Sequence, residues 1–466
     1  KDTHLPPPKR LRPTAVTAPP QTPASNTANL GKFIARDAEL FQQLGFEKLV
    51  ELRRGRGDLT DFTKITHKAK RLLQHLKTRG APVPLATPPW SAERCKEAIE
   101  RGPHHSAYEH QDFLQTEIAS MIEAAQWLLL PADLALQLPN LRVSPMGVIP
   151  QPSRRPRTIV DYTWAGINAE TLDWHPKEAM QFGRALQRML QDIVQADPRF
   201  GPVYLMKVDI ADGFYRVAVN VHDIPKLGVA FPVQPGEQPL VALPLTLPMG
   251  WQSSPPYFCV PTETITDVAN TRVLRHRNPG PHHLDTVADA QSETIAAAPL
   301  DPIASGHSPT KVAVKLPTQR DPMIGDGTHH HRKLGKFDVF IDNFIGLAQG
   351  NRERLQRLQR ILFHTIDDVF RPLDADDVPG RQEPISIKKL KQGDGAWDTR
   401  KLILGWMIDT VTMTLELPER RRIRLRELLD TLPPTLHRIS VKRWQQILGE
   451  LRSMVPAIPG ARGLFS

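Results

Sequence analysis

Two short apolar stretches, each carrying an aspartate at a turn, constrain this chain more than any other part of it. The first is Tyr204-Leu205-Met206-Lys207-Val208-Asp209-Ile210-Ala211-Asp212-Gly213-Phe214-Tyr215-Arg216. Its apolar run ends at Asp209, turns through Gly213 and resumes from Phe214 to Val219, a pattern that predicts a strand, a turn and a second short strand. The second stretch, Phe337 to Leu347, is apolar on both sides of Asp342-Asn343 and predicts a tight hairpin with an acid at its tip. A carboxylate at the mouth of a buried strand suits a hard cation. An aspartate that only caps a turn gives the same local pattern. Two such strands side by side would let Asp209 and Asp342 hold a pair of Mg²⁺ ions, the arrangement that in-line phosphoryl transfer needs.

Four stretches, in order, resemble the motifs of reverse transcriptases, most nearly those of eukaryotic retrotransposons. Asp209-Ile210-Ala211-Asp212-Gly213-Phe214-Tyr215 is similar to the first catalytic motif, and Leu247-Pro248-Met249-Gly250-Trp251-Gln252-Ser253-Ser254-Pro255 to the second. Phe340-Ile341-Asp342-Asn343 stands where a Tyr-x-Asp-Asp hairpin belongs, and Leu402-Ile403-Leu404-Gly405-Trp406 resembles the primer-grip turn. The resemblance covers roughly 141–406. It implies an α+β fold: a right-hand polymerase palm (an antiparallel sheet with helices), fingers, and a partial helical thumb, preceded by a helical N-terminal region. It implies an RNA-directed DNA polymerase, a nucleotidyltransferase working with two Mg²⁺ ions or Mn²⁺, an RNA or DNA template with its primer, and dNTPs. In that frame Asp209 and Asp342 are the metal ligands and Arg157 holds the triphosphate. Phe214 packs under the sugar and favours deoxynucleotides. Met249 and Gly250 meet the nascent pair, while Leu404, Gly405 and Trp406 grip the primer. Asn168 closes a strand.

The chain departs from the pattern at three places. Asn343 replaces the second aspartate; its carbonyl can still ligate Mg²⁺ but brings no charge, which implies reduced metal affinity and slow or absent catalysis. Pro261 falls inside the helix expected after the second motif, where it removes a hydrogen bond and costs on the order of 3 kcal/mol. A long segment, 272–333, follows without sustained periodicity and reads as a disordered insertion. These departures motivate an alternative, a catalytically impaired copy retained as a nucleic-acid-binding protein. A weaker third reading is a protein-binding scaffold.

The rest of the chain reads as follows. The 466 residues leave room for about three domains. A formal charge of +10 fits a polyanionic partner, as it fits any soluble basic protein. The two cysteines, Cys95 and Cys259, exclude a disulfide framework. No apolar run has the length of a membrane span and no signal peptide is visible, so the expected setting is intracellular, cytoplasm or nucleus. The start at Lys1 and the stop at Ser466 read as those of a piece of a longer polyprotein.

Residues 1–34 read as a disordered tail, rich in proline, with Lys9-Arg10-Leu11-Arg12 either an import signal or a solvating cluster. Residues 35–130 read as helical, interrupted by a proline-rich linker at Pro82 to Pro89 and ending in a long helix from Ala107 to Leu129. Residues 131–406 hold the fingers and palm. They include a hairpin at 141–162 with Arg154, Arg155 and Arg157, a helix from Pro176 to Ala196, a helix from Asn351 to Phe370, and a lysine-bearing strand at Ile385 to Lys389. Residues 407–466 are thumb-like, with an arginine-rich helix from Pro418 to Leu432 and a second from Val441 to Val455. Lys207, two residues before Asp209, either shares its face and partly neutralises the acid, or sits on an irregular strand. His329-His330-His331 lacks partner ligands in a fixed frame.

Overall fold

The computed structural model describes residues 25–151, 154–172, 184–275, 278–288, 314–315, 332–432 and 438–452. The chain is a mixed α and β structure. Strands β1 (Trp127–Pro131), β2 (Val143–Gln151), β3 (Arg154–Val160), β5 (Gly228–Phe231) and β6 (Leu240–Pro244) form one sheet in the order β1-β6-β5-β2-β3. Strands β4 (Tyr204–Asp209), β8 (Gly335–Phe340) and β9 (Asn343–Ala348) form a three-stranded antiparallel sheet with β4 beside β9. A third sheet joins β10 (Arg400–Ile403), β11 (Trp406–Asp409), β12 (Thr414–Glu416) and the short β7 (Val314–Lys315).

The three-stranded sheet separates two apolar cores because side chains alternate along a strand. Met206, Val208 and Phe344 face one side and join the main core with Phe258 and Ile265 of the helix Ser254–Leu274. Leu205, Ile345 and Leu347 face the other and join a second core with Met189, Ile193, Ile403 and Trp406. Asp209 and Asn343 are paired across β4 and β9, in phase with Leu205 and Ile345. The two polar residues therefore end the face that the second core covers further along the strands. Pairing of β4 with β9 runs without a shift from Tyr204↔Ala348 to Asp209↔Asn343, so the strand is regular and Lys207 does share the face of Asp209.

Several expectations are corrected here. Phe214 to Val219 is no strand: a 3₁₀ turn spans Gly213–Arg216. The expected long helix is two, His105–Glu109 and Gln111–Glu123, and β1 begins at Trp127, where the apolar run Trp-Leu-Leu-Leu pairs with β6. Lys388 and Lys389 lie on a short helix, Ile387–Lys391, because the Leu390 amide returns to the Ser386 carbonyl at 3.0 Å. The helix Ser254–Leu274 continues through Pro261, which is buried. Ser254 is its first residue, and its hydroxyl donates to the Pro248 carbonyl at 2.6 Å.

The N-terminal helix already runs at Ser25–Leu44 with Leu30 buried, which shortens the expected tail; residues 1–24 lie outside the described set. The proline-rich linker is docked, with Val83 buried and Ala81 bridging Val219. Of the expected insertion, Arg272 to Leu274 end a helix and 278–288 pack onto the body through Leu284 and Ala288, while 289–313 and 316–331 lie outside the described residues. His329 to His331 and Phe182 lie outside it too. Among the described residues no helix is long and apolar enough to cross a membrane.

Candidate active site

The site is built on the open ends of β4 and the β8–β9 hairpin. Phe340 and Asn343 pair, leaving Ile341 and Asp342 as a two-residue turn. Ile341 has φ +59°, the left-handed region at the first turn position, where glycine is the usual occupant. A β-branched residue held there costs on the order of 1–3 kcal/mol. The turn is fixed from outside, since the Ile210 amide donates to the Asp342 carbonyl at 2.9 Å. Gly213, at φ +28°, lies close by; a Cβ there would stand 3.8 Å from Asp342 Oδ2. The Asp209 turn and the Asp342 turn thus meet, as their apolar flanks predict.

Electrostatics set the character of the pair. Burial pushes both the Asp209 and the Asp342 carboxyls above the ordinary carboxylate range. Lys207 and Lys389 pull Asp209 back down. Asp209 Oδ1 is buried and makes no hydrogen bond. Asn343 Nδ2 donates to Asp342 Oδ1 at 2.9 Å, so the amide ties up one oxygen of its neighbour. Two partly buried carboxylates on rigid strands, one with an orphaned oxygen, fit a hard divalent cation held by oxygen ligands. Lys207 does not complete the neutralisation, because its ammonium sits 3.0 Å from Asp394.

The turn after Asp209 is stapled by a residue that local sequence patterns do not reveal. Arg216 is buried, and its guanidinium donates to the Ala211 carbonyl at 2.6 Å, Asp58 Oδ1 at 3.0 Å, and the carbonyls of Gln382 and Glu383 at 3.0 and 2.9 Å. Asp58 in turn accepts from Arg381 at 2.8 Å. These partners lie far away in sequence, so only the arginine itself was visible. A cavity of about 930 Å³ opens beside this network, away from the carboxylates. The acids and bases of the network that line it, Asp58, Arg216, Arg381, Arg371 and Asp377, are already paired with one another.

Other expected residues fall into two further groups. Arg157 and Met249 line one cavity of about 270 Å³ together with Thr158 and Tyr215. Phe214, beside Tyr215, packs edge-on against Phe258 with ring centroids 5.4 Å apart. Gly250 has φ +99°, and a Cβ would meet the Val160 carbonyl at 2.8 Å, so only glycine lets this loop approach β3. Asn168 locks the same loop: its Nδ2 donates to the Gly250 carbonyl at 3.0 Å and its Oδ1 accepts from the Gln252 amide at 2.9 Å. Asn168 thus ties down a loop, where the resemblance implies that it closes a strand. Arg155 is paired with Glu117. Leu404 and Gly405 form the β10–β11 turn with φ +49° and +80°, and Trp406 is buried in the second core under the Arg421 guanidinium.

A histidine cluster outside this site is structural. The buried His282 accepts the Leu284 amide on Nδ1 at 3.1 Å, so Nε2 carries the ring proton and gives it to Asp367 Oδ2 at 2.8 Å. With both nitrogens engaged, His282 has no lone pair for a metal. His283 meets Glu383 at 2.8 Å. The cluster clips the 278–288 segment to the helix Arg352–Asp367.

The fold and site define a mixed α and β protein with a strand-end aspartate facing an aspartate-tipped hairpin. No family model and no curated protein matches the chain. Among solved structures it is similar to the foamy viral protease-reverse transcriptase in complex with double-stranded DNA. One such structure shows 12% identity and a TM-score of 0.40, covering 96% of this chain and 54% of that one; a second shows 12% and 0.40, covering 94% and 63%. The chain therefore spans between 54% and 63% of the length of these solved chains.

Proposed function

We propose that this chain is a reverse-transcriptase-like polymerase unit, of retrotransposon type, whose 141–162 hairpin serves as fingers and whose β4-β9-β8 sheet serves as the palm. The observation that carries the reading is the meeting of Asp209 with the Asp342 hairpin, one carboxylate oxygen of Asp209 being left without a partner. The reaction is attack of a primer 3′-hydroxyl on the α-phosphorus of a dNTP, with pyrophosphate leaving. Mg²⁺ ions, or Mn²⁺, held by Asp209 and Asp342 would neutralise charge at the reacting oxygens.

The chain's own residues orient the reactants. The Ser386 amide donates to the Asp209 carbonyl at 3.0 Å and keeps the strand end in place. Arg157, exposed on β3, presents a planar cation to the triphosphate. Phe214, backed by Phe258, forms a firm floor for the sugar. The Met249-Gly250 backbone, fixed by Asn168, receives the nascent pair. The exposed arginines of the helix Glu419–Asp430 offer a track for the template–primer backbone.

A specific observation favours the second reading, an impaired copy that binds nucleic acid. Asn343 adds no charge, and its amide occupies Asp342 Oδ1. The test is primer extension by the parent, Asn343→Asp and Asp209→Ala, each with Mg²⁺ and Mn²⁺. Extension by the parent, lost in Asp209→Ala, supports the polymerase, whereas extension by Asn343→Asp alone supports the impaired copy. Salt-sensitive binding of primer–template with no extension by any variant supports the binding protein.

A further inference from the structure

Among the described residues, the cation in ion-pair contact with Asp209 is one that the sequence places on a strand rather than on a helix. Lys389 Nζ stands 3.7 Å from Asp209 Oδ2. It is carried there by the helix Ile387–Lys391, whose leading residue Ser386 is bonded through its amide to the carbonyl of that same aspartate at 3.0 Å. The lysine is thus tethered to the acid it faces. Its side chain is 44% exposed, so it can leave toward solvent without disturbing the core. Lys207, on the same face, also acts on Asp209, but its charge is matched by Asp394 at 3.0 Å. Asn343 supplies no charge. Asp209 and Asp342 together with Lys389 leave one net negative charge where a divalent cation would sit.

We propose that Lys389 is a tethered counter-ion that competes with divalent metal for Asp209, so that the free protein binds metal weakly. The like charge of the ammonium opposes an incoming cation, and its contact is with Oδ2, while Oδ1 of Asp209 is buried and unpartnered. The inference rests on Asp209 and Asp342 being metal ligands, as in the function proposed above, and does not require that the protein polymerise.

The experiment titrates the intact chain with Mn²⁺ alone and follows the electron paramagnetic resonance signal of the free ion. Lys389→Met, and Lys389→Gln as a second neutral variant, should bind Mn²⁺ about tenfold more tightly than the parent, since one unit charge is lost within a few ångströms of the ion. Lys389→Arg keeps the charge and should match the parent, as should Lys388→Met on the same helix. Adding Asp209→Asn to Lys389→Met should abolish the gain. Equal affinity in the parent and both neutral variants, or no binding in any of them, overturns the proposal. So does an equal gain in Lys388→Met, or a gain that survives Asp209→Asn. Primer extension is read separately. Tighter Mn²⁺ binding without extension refutes the polymerase alone, and extension with unchanged Mn²⁺ affinity refutes the counter-ion alone.

Discussion

Two hairpins with two-residue turns are built on different terms. The β10–β11 turn, Leu404-Gly405, places glycine at one of its two left-handed positions, and its neighbour Trp406 is buried in the second core. The β8–β9 turn, Ile341-Asp342, puts a β-branched residue in the left-handed region and follows it with an acid whose carboxyl pKa is raised by burial. The first turn also holds a non-glycine residue, Leu404, in the left-handed region, but it carries no acid and packs. The second is strained and charged, and it keeps its shape because the Ile210 amide and the Asn343 pairing hold it from both sides. Both turns hold a non-glycine residue in the left-handed region; what sets the second apart is the partly buried acid that follows it.

The largest effect expected from separating the two is on catalysis. Asp342→Asn should lower primer extension by about 10³-fold or more, with thermal stability unchanged or higher, because the turn loses a charge that burial disfavours. Extension within tenfold of the parent would show that the strained turn carries no chemistry. Next in size is Asn343→Asp, which should raise extension at saturating Mg²⁺ by about tenfold or more while lowering stability without metal by about 1 kcal/mol, through a second acid beside Asp342. Urea titration with and without Mg²⁺ separates the two effects.

The turn without an acid should respond in stability rather than in extension. Gly405→Ala forces a Cβ into φ +80° and should cost about 1 kcal/mol in urea unfolding. A neutral result would mean that this turn is not what holds Trp406.

A pH series sharpens the contrast. The Asp342 carboxyl is raised in the folded state by burial, so its contribution is fully present below the ordinary carboxylate range and is lost as pH rises through the folded value. Asp342→Asn should therefore gain stability over the parent on the alkaline side of that transition and show no advantage on the acid side. The smallest effect is that of Ile341→Gly: relief of the left-handed strain, offset by the greater backbone freedom of glycine, should leave a net change within about 1 kcal/mol in either direction. A loss well beyond that range would mean that Ile341 packs rather than strains.

The sequence foretold the sheet and not its supports. Apolar runs ending at Asp209 and flanking Asp342 were enough to place β4, β8 and β9, since no other element accommodates such patterns with an acid at the end. Leu355, Leu358, Leu362 and Ile366 gave the helix Arg352–Asp367, and all four are buried. The Ile-Ser-Ile alternation at Ile385 to Ile387 suggested a strand, but the Ser386 amide is committed to Asp209 and its carbonyl to a helical turn, so tertiary bonding overrides the local pattern. Phe214 to Val219 failed in the same way: Arg216 draws the chain inward to partners more than 150 residues away, and no window of sequence contains them.

The Arg216 staple also bears on how the molecule can be cut. Asp58 belongs to the N-terminal region, Arg216 to the turn after Asp209, and Glu383 to a segment far along the chain. Leu59 bridges Phe370, and the Thr60 amide bonds to the Val369 carbonyl at 3.0 Å. A fragment trimmed to the motif-bearing segment alone would bury a guanidinium with no counter-charge from Asp58 and would lose the pin on the turn that follows Asp209. The smallest piece expected to fold on its own must start upstream of Asp58, and the leading helices travel with the catalytic unit as one inheritable block.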